Sequence, residues 1–421
     1  MKINQTNYPL FVGLSHIGQI YSISWIKKIG PCGVFDFDKA TLLNFKKSKF
    51  TNEEKKLTNI RFNKKKITFC KNFDDIKNYN IIFFTYDTPL NDNGHPNVKY
   101  IENNLKKILK LKFDRKTTIF FTSQVYPGFT DYIKKKYLKN NDQIKLIYMV
   151  DTLKMGNAIN RFLKPEQLIF GGEKKDNELI SRLFKKFSCK KYIKSYKEAE
   201  LIKISINLYL YFSVNLSNIL DDFSKQKGII FPNILDNLKN DKRIGKYSYV
   251  QPSPAISGGH LERDVFFIKK FNKNYLSRKI FSNLENFNEK RKLDLKNFIK
   301  KLIKKKKVKL LIIGISYKNS SFSLVNTIFK KIIDSKNISS IFYDSYFTKK
   351  LNAKLKIVKK LNIGLNKSDI VLFNYSNDKD LKIIKKKFSI YNKNKFLIDI
   401  SSNGIGSIKD NINVINYYSK K

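Results

Sequence analysis

Residues 8–45 read "YPLFVGLSHIGQIYSISWIKKIGPCGVFDFDKATLLNF", and this stretch gives the strongest indication of the fold class. A short apolar segment enters the turn Gly13–Gly18, and an amphipathic helical pattern follows it. A second apolar segment then ends at Asp36 and Asp38. Strand, turn, helix and strand in this order predict a βαβ unit, which belongs to a parallel sheet with helices on its faces.

The turn between the first strand and the helix has the features of a dinucleotide site. Gly13 and Gly18 allow a tight turn and a close approach to a pyrophosphate at the helix N-terminus. Asp36, about 20 residues further on, is placed to bind the ribose hydroxyls. Ser15 occupies the position of the second glycine in the usual pattern, so we expect a looser contact there. The alternative is an ordinary strand–turn–helix with small residues in its turn.

Two later segments are typical of strands in the same sheet. "NIIFFTYDTPL" (80–90) and "TTIFFTSQVYPG" (117–128) each carry an apolar run that stops at small polar residues. Parallel strands end in this way over a ligand crevice. We expect four residues at these strand ends to face the cofactor and substrate: Thr88, Pro89, Ser123 and Gln124.

The rest of the chain predicts three domains. A helical pattern runs without interruption from about 196 to 226, long enough to act as a spine. The lysine-rich stretch 300–309 is the best linker candidate, and four apolar segments after it predict further strands. We predict an α/β fold in which two Rossmann-like parallel-sheet domains, 1–195 and 301–421, are joined by a central, mostly helical domain, 196–300.

Polar residues on the long helix and in a later loop are the candidates for chemistry. Glu200, Lys203 and Asn207 recur at helical spacing and share one face of the helix. That face is either a solvated stripe or a set of groups aimed into a cleft. The segment "SGGHLERD" at 257–264 combines a Gly-Gly pair with Asp264 and has the look of an active-site loop.

Composition narrows the classes of function. The chain has 421 residues, with 84 Lys and Arg against 35 Asp and Glu, which gives a formal net charge of +49. These charges are spread along the whole chain, and no helix-turn-helix, zinc-knuckle or aromatic platform accompanies them. Nucleic acid is therefore not the expected partner. A diffuse positive charge still favours phosphorylated small ligands.

Cysteine usage and hydropathy bear on the cellular setting. Cys32, Cys70 and Cys189 lie far apart and form no metal-binding spacing, so no metal site is predicted. The N-terminal stretch lacks the apolar core of a signal peptide, and no run of about 18 apolar residues occurs. We expect a soluble, cytoplasmic protein that does not insert into a membrane.

The order of these pieces resembles the UDP-glucose/GDP-mannose dehydrogenase family, the nucleotide-sugar dehydrogenases, over nearly the entire chain. The matching segments in chain order are the turn at 13–18 with Asp36, "TYDTPLNDNGHPNVKYIENNL", "SQVYPG", "EAELIKISINLYL", "DKRIG", "GISYKN", "FYDSY" and "IDISSNG". Each match alone is weak. Their common order and spacing carry the resemblance.

The resemblance implies an enzyme that uses NAD. The family oxidises the C6 hydroxyl of a nucleotide-linked sugar twice, through an aldehyde, and a cysteine forms a thioester in the second oxidation. Four residues are implied to support catalysis: Lys203, Asn207, Asp264 and Asp151. Four others are implied to bind substrate: Arg243, Gly258, Gly259 and Lys318. Arg243 would do so across a homodimer interface of the central helices, and the alternative is an ordinary surface arginine.

The segment that should carry the cysteine departs from the family. The family has Gly-Gly, one residue, Cys, three residues and Asp, whereas this chain has Gly-Gly-His-Leu-Glu-Arg-Asp, one residue shorter and without a thiol. Asp151 stands for a family glutamate and Gln124 for a threonine. Arginines that would hold the nucleotide diphosphate are also missing after Lys318 and after Asp399.

Two functional hypotheses follow from this departure. In the first, the enzyme transfers one hydride and stops at an aldehyde or ketone, with His260 or Lys203 as general base. In the second, the chain has lost its chemistry and binds NAD or a nucleotide-sugar as a regulatory or assembly protein. His260 itself is either a catalytic base or a residue that caps or packs its loop.

Overall fold

A computed structural model describes residues 8–48, 66–91, 95–153, 157–256, 260–303, 307–315, 329–333, 335–345, 356–390, 395–401 and 414–418. The chain divides into two compact units, residues 1–206 and 207–421. The three domain boundaries expected from the sequence stay a prediction.

The first unit is built on an eight-stranded sheet. Its strands are β1 (Leu10–Val12), β2 (Cys32–Phe35), β3 (Ile67–Phe69), β4 (Ile81–Phe84), β5 (Thr117–Phe121), β6 (Ile144–Met149), β7 (Gln167–Gly171) and β8 (Lys190–Lys194). The strand order is β3-β2-β1-β4-β5-β6-β7-β8. Neighbouring strands are parallel except β6 and β7, where Tyr148 lies opposite Gly171 in an antiparallel pair. The expected parallel sheet is therefore mostly parallel, with β7 and β8 added at one edge.

Helices follow most of these strands. They are α1 (His16–Lys28), α2 (Lys39–Lys46), α3 (Val98–Leu109), α4 (Phe129–Tyr137), α5 (Ala158–Leu163) and α6 (Asn177–Leu183), with 3-10 turns at Phe73–Asn78 and Lys174–Asp176. The central strands are runs of Ile, Phe and Val because both faces of the sheet are buried. Leu10 and Val12 pack into the core on one face and Phe11 into the core on the other.

The described elements that lie between the two sheets in sequence are helical. They are α7 (Tyr196–Gln226), a 3-10 turn (Phe231–Ile234), α8 (Leu235–Asn240), α9 (His260–Phe271) and α10 (Tyr275–Ile303). The predicted long helix at 196–226 is confirmed with these bounds. A capping box begins α7: the Ser195 backbone N–H donates to the Glu198 carboxylate at 2.9 Å, and the Glu198 N–H donates to Ser195 Oγ at 3.3 Å.

The second unit contains a six-stranded parallel sheet. Its strands are β9 (Val308–Ile313), β10 (Ile338–Tyr343), β11 (Lys356–Ile357), β12 (Ile370–Phe373), β13 (Phe396–Asp399) and β14 (Val414–Asn416), and its helices are α11 (Lys330–Ile333), α12 (Leu361–Lys367) and α13 (Asp378–Ile390). The order β11-β10-β9-β12-β13-β14 repeats the order of the first six strands of the other sheet. The predicted fold class, two Rossmann-like sheets with a long helix between them in sequence, is confirmed.

Glu200 attaches the start of α7 to α4. Its side chain is fully buried. The carboxylate accepts hydrogen bonds from the Gly128 N–H at 2.5 Å, the Thr130 N–H at 2.8 Å and the Thr130 hydroxyl at 2.6 Å. Because the first N–H groups of a helix have no partners within it, Glu200 caps α4 from a different element. Burial outweighs these hydrogen bonds and raises the pKa of Glu200 to about 7.

Arg291 on α10 organises the polar interior of the second unit. Its side chain is only 3% exposed, and it pairs with Asp222 and, at 3.4 Å, with Asp221. The guanidinium also donates to the backbone carbonyls of Asn218 at 3.1 Å and Ser253 at 2.8 Å. One arginine thus joins α7, α10 and the segment before α9.

The raised pKa of Glu200 predicts a pH-dependent stability. The folded protein holds the proton more tightly than the unfolded chain, so this contribution is complete below pH 4.5 and is lost as pH rises to about 7. The loss is on the order of 3 kcal/mol. Against Glu200→Gln, the wild type should lose free energy of unfolding between pH 5 and pH 7, as measured by urea denaturation at each pH.

Glu198→Gln is the matched control for this measurement. Glu198 lies two residues earlier on α7 and is exposed, and hydrogen bonds from Ser195 lower its pKa. Because both its folded and its unfolded pKa lie below pH 5, its removal should leave the pH dependence between pH 5 and pH 7 unchanged. A wild type that gains stability relative to Glu200→Gln between pH 5 and pH 7 would show that Glu200 is held as the carboxylate.

Removal of Arg291 should destabilise the second unit strongly. Arg291→Ala removes the guanidinium that pairs with Asp221 and Asp222 and donates to the carbonyls of Asn218 and Ser253, while Lys225 still pairs with Asp221 at 2.7 Å. Losing several buried, charge-assisted hydrogen bonds together costs about 3 kcal/mol or more. Urea denaturation followed by circular dichroism measures the change. Arg278→Ala is the control, because Arg278 is an exposed arginine on the same helix. Equal effects of the two substitutions would contradict the organising role of Arg291.

Candidate functional site

The turn after β1 requires glycine at two positions. Gly13 has a φ of +98°, a conformation that side chains other than glycine rarely adopt, and a Cβ there would lie 2.6 Å from the Tyr86 ring. A Cβ at Gly18 would lie 1.8 Å from the carbonyl oxygen of Gly13. The first turn of α1 therefore packs directly against the end of β1, as a dinucleotide turn requires.

Ser15 has its side chain bonded to the neighbouring strand end. Its hydroxyl donates to the Thr85 carbonyl at 2.7 Å and accepts from the Asp87 N–H at 3.0 Å. Ser15 is the N-cap residue of α1, yet its side chain makes no capping hydrogen bond to the helix. The serine that replaces the usual glycine thus joins two loops and leaves the N–H groups of the first turn of α1 uncapped by it.

Asp36 lies directly after β2 and is buried, with 6% of its surface exposed. Oδ2 accepts from the Leu14 N–H at 2.6 Å, and Oδ1 accepts from the Asp38 N–H at 2.8 Å and the Tyr86 hydroxyl at 3.1 Å. Burial raises the pKa of Asp36, against the lowering effect of these hydrogen bonds. Since a carboxylate offers about four acceptor positions, one remains for a ligand hydroxyl.

Tyr86 packs against the glycine turn after β1, and the sequence analysis did not predict it as a site residue. Its ring lies against Gly13, and its hydroxyl donates to Asp36 at 3.1 Å and accepts from the Phe37 N–H at 3.1 Å. Tyr86 therefore connects the glycine turn with the acidic residue after β2. The sequence signal that could have identified Tyr86 is its position two residues after the end of β4 and two residues before Thr88.

The loops after β4 and β5 are bonded to each other. The Thr88 hydroxyl donates to the Gln124 carbonyl at 2.6 Å, and the Ser123 hydroxyl donates to the Tyr86 carbonyl at 2.6 Å. The carbonyl of Pro89 accepts from the Asn97 N–H at 2.7 Å, directly before α3. The four strand-end residues predicted from the sequence thus lie together at the carboxyl edge of the first sheet, where α/β folds bind ligands.

The glycine turn after β1 and Asp36 together fit a dinucleotide cofactor. Gly18 lets the helix approach the end of β1, Ser15 leaves the helix N-terminus clear, and Asp36 lies at the end of the adjacent strand. Helix N-termini bind phosphate through their N–H groups and their dipole. The turn can therefore hold a pyrophosphate, with Asp36 near the ribose.

Asp151 and Lys203 form a polar pair in the first unit. Lys203 Nζ lies 3.8 Å from Asp151 Oδ2, and each side chain is 12% exposed. The Tyr21 hydroxyl donates to Asp151 Oδ1 at 3.3 Å, and burial together with the charge of Asp151 raises the pKa of Tyr21. Tyr21 is a second residue that the sequence interpretation missed, because 130 positions separate it from its partner.

Asn207 and Asp264 form a second pair, in the second unit. The Asn207 side-chain amide donates to Asp264 Oδ2 at 2.6 Å, and Asp264 is fully buried. His260 is the first residue of α9, one turn before Asp264. Lys203 and Asn207 are one turn apart on the continuous helix α7, whereas Glu200 is bound to α4. The three residues of the predicted helix face therefore have separate partners.

The remaining candidates are exposed or lie outside the described residues. Arg243 has 90% of its side chain exposed and pairs with Asp241 at 2.7 Å. Gly258, Gly259 and Lys318 lie outside the described part of the chain. Among the described residues there is no cluster of three His, Cys, Asp or Glu side chains suited to a metal ion, and no helix of the length and apolarity needed to cross a bilayer.

Known proteins with similar sequences and folds are dehydrogenases of nucleotide sugars. The chain is 29% identical over 327 residues to the UDP-glucose 6-dehydrogenase of Campylobacter jejuni, an alignment that covers 75% of this chain and 78% of the relative. The fold matches the UDP-glucose dehydrogenase of Pyrobaculum islandicum with a TM-score of 0.83, at 15% identity and 99% coverage of both chains. It also matches the UDP-D-ManNAc dehydrogenase of Pyrococcus horikoshii with a TM-score of 0.79, at 14% identity, covering 98% of this chain and 99% of the other.

Two family models match successive parts of the sequence. The NAD-binding domain of the UDP-glucose/GDP-mannose dehydrogenase family matches residues 10–188, and the central domain of the same family matches residues 197–290. The first match contains the glycine turn, Asp36 and Asp151, and the second contains Lys203, Asn207 and Asp264. Because the two matches together cover more than half of its residues, the chain belongs to the UDP-glucose/GDP-mannose dehydrogenase family of NAD-dependent nucleotide-sugar dehydrogenases.

Proposed function

We propose that this protein oxidises a hydroxyl group of a nucleotide-linked sugar, UDP- or GDP-bound, in a single two-electron step. The observation that carries the proposal is the pairing of Lys203 with Asp151 at 3.8 Å in a largely buried setting. A lysine beside a carboxylate can take up a proton, because the carboxylate stabilises the resulting ammonium ion.

The proposed step divides the hydrogen atoms of the alcohol between two acceptors. Lys203 Nζ takes the hydroxyl proton, and Asp151 stabilises the charge that Lys203 gains. Tyr21 donates a hydrogen bond to Asp151 and holds that carboxylate in place. The hydride on the carbon atom would pass to NAD, which would supply the oxidant when bound. The carbon–oxygen bond becomes a carbonyl, so the product is an aldehyde or a ketone.

Three further residues are assigned supporting parts in this proposal. Asn207, positioned by its 2.6 Å hydrogen bond to Asp264, donates its other amide hydrogen to the developing oxyanion. His260 is the second candidate for the base, since it lies one turn before Asp264 at the start of α9. The exposed Arg243 is assigned to the nucleotide-sugar as a phosphate ligand.

The absence of a thiol between Gly258 and Asp264 supports a single oxidation. The route to a carboxylate through a thioester needs a thiolate next to the aldehyde. Cys32 and Cys70 are buried, and burial raises the pKa of Cys70 to about 11, so this thiol stays protonated. Cys189 lies just before β8, far in sequence from α9.

We also propose that the protein is a homodimer formed through α7. Tyr209, Leu216 and Phe223 are 78%, 57% and 53% exposed and recur every seven residues. Residues 204–224 contain no Lys or Arg, although these types make up 84 of the 421 residues. A second copy carries the same net charge of +49, so an apolar face without cations is the surface on which two copies can approach.

The proposed oxidation is tested with purified protein, NAD and a panel of UDP- and GDP-sugars. NADH absorbance gives the reduction, and mass spectrometry identifies the sugar product. One NADH per aldehyde or ketone supports the proposal. A carboxylate with two NADH would show that another nucleophile exists. Binding of NAD and nucleotide-sugar without any oxidation would instead establish the regulatory or assembly alternative.

Lys203→Met should reduce kcat by about 10²–10⁴-fold, the usual contribution of a general base. Binding of NAD, measured by calorimetry, should stay unchanged because Lys203 is not part of the glycine turn. Lys197→Met is the matched control, an exposed lysine of the same helix. Wild-type kcat in Lys203→Met would remove Lys203 from the mechanism and leave His260 as the base.

Leu216→Glu should convert the dimer into monomers, because two buried carboxylates would face each other across the helix pair. Sedimentation velocity measures the mass in solution. Ile363→Glu on α12 is the control, since Ile363 is a 42% exposed apolar residue outside the heptad pattern. A wild-type protein that sediments as a monomer would contradict the proposed dimer.

A further inference from the structure

A pocket of about 380 Å³ lies on the first unit between α3 and α4. Its walls include Lys99, Lys106, Tyr126, Tyr132, Lys136 and Tyr137. None of these is a residue of the glycine turn, and neither Asp36 nor Thr88 lines it. The pocket is therefore a feature separate from the cofactor turn.

Glu102 forms the polar centre of this pocket. A single oxygen, Oε1, accepts from the Tyr132 hydroxyl at 2.9 Å, the Tyr137 hydroxyl at 2.8 Å and Lys136 Nζ at 2.9 Å. Burial works in the other direction, but these hydrogen bonds hold the pKa of Glu102 below its usual value. Within the described residues the second oxygen, Oε2, has no hydrogen-bond partner, so it can accept from a ligand hydroxyl or amino group.

The charge of the pocket is positive. Lys136 is paired with Glu102. Lys99 and Lys106 have no carboxylate partner within the described part of the chain, and Lys106 lies over the Tyr137 ring with Nζ 5.9 Å from its centroid. Two cations beyond the paired one favour an anionic group, such as a phosphate.

The rings of the pocket favour a planar ligand group. Tyr132 is 38% exposed, and Tyr126 and Tyr137 are partly exposed. Phe129 is buried behind them and fixes two of these rings, with centroids 5.6 Å from Tyr126 and 6.3 Å from Tyr132. Aromatic faces held in this way offer stacking surfaces to a base.

We propose that the pocket between α3 and α4 binds a nucleoside monophosphate, separately from the cofactor. The phosphate contacts Lys99 and Lys106, the base lies against Tyr132, and a hydroxyl or amino group of the nucleoside donates to Glu102 Oε2. A nucleoside monophosphate uses all three features of the pocket: the cations, the rings and the acceptor oxygen.

The test is a calorimetric titration of the full-length chain with AMP in the presence of saturating NAD. NAD occupies the cofactor turn, so binding elsewhere is detected as an additional equivalent per chain. The double variant Lys99→Glu/Lys106→Glu should weaken that binding at least about tenfold. Lys110→Glu, an exposed lysine at the C-terminal end of α3 and outside the pocket, should leave it unchanged.

Adenosine and inorganic phosphate complete the experiment. AMP should bind more tightly than either, because each makes only part of the proposed contacts. Equal binding of phosphate alone would overturn the nucleotide assignment in favour of a simple anion site. Saturation by NAD that leaves no AMP binding, or equal binding by the double variant, would also overturn the proposal. If the double variant fails to fold, Tyr132→Ser gives the same comparison, since it removes a ring and keeps the charges. None of these outcomes depends on whether the protein oxidises a sugar.

Discussion

The close packing of Gly18 on the carbonyl oxygen of Gly13 is the constraint on which the first unit depends. Any side chain at position 18 would meet that oxygen at 1.8 Å. Because none is present, α1 can begin at once after β1, with its N-terminus at the carboxyl edge of the sheet. The Leu14 N–H is then 2.6 Å from Asp36, and Tyr86 packs on Gly13. The cofactor turn is thus a consequence of backbone packing, and its polar contacts complete a geometry that the glycines allow.

Helix α7 distributes polar groups at intervals of about one turn, and each group has a different task. Glu200 caps α4, Lys203 pairs with Asp151, and Asn207 pairs with Asp264. The helix is continuous over 31 residues, so these three groups keep a fixed spacing along one axis. The capping box at Ser195 and the bonds from Glu200 to α4 both hold the start of this helix in place.

The excess of positive charge affects both the ligands and the self-association that we propose for this chain. With 35 Asp and Glu against 84 Lys and Arg, carboxylates are scarce, and several of those in the described residues hold specific donors. Glu102 holds two tyrosines and a lysine, Asp221 lies beside Arg291, and Asp36 accepts from backbone N–H groups. The same excess of lysine favours phosphorylated ligands. It is also the reason why the proposed dimer uses the surface of α7 that carries no Lys or Arg.

The fold class and the central strands follow from the sequence. Apolar runs predicted β1, β2, β4 and β5 of the first sheet and β9, β10, β12 and β13 of the second, but not the strands β3, β8, β11 and β14. Helical periodicity predicted α7 between 196 and 226, and the glycine spacing predicted the turn at 13–18. These signals are local, because periodicity and backbone freedom act within a few neighbouring residues. Lys203, Asn207 and Asp264 were identified through the order of family segments, and their catalytic roles stay predictions.

The tertiary structure alone decided which side chains meet. Tyr21 and Asp151 are 130 positions apart, Glu200 and Thr130 are 70 apart, and Tyr86 and Asp36 are 50 apart. The antiparallel direction of β7 and the pocket around Glu102 also depend on contacts between segments that are distant in sequence. No local pattern encodes such contacts, because they arise only when the packing of sheets and helices brings distant segments together. Burial then favours arrangements in which polar groups are hydrogen-bonded.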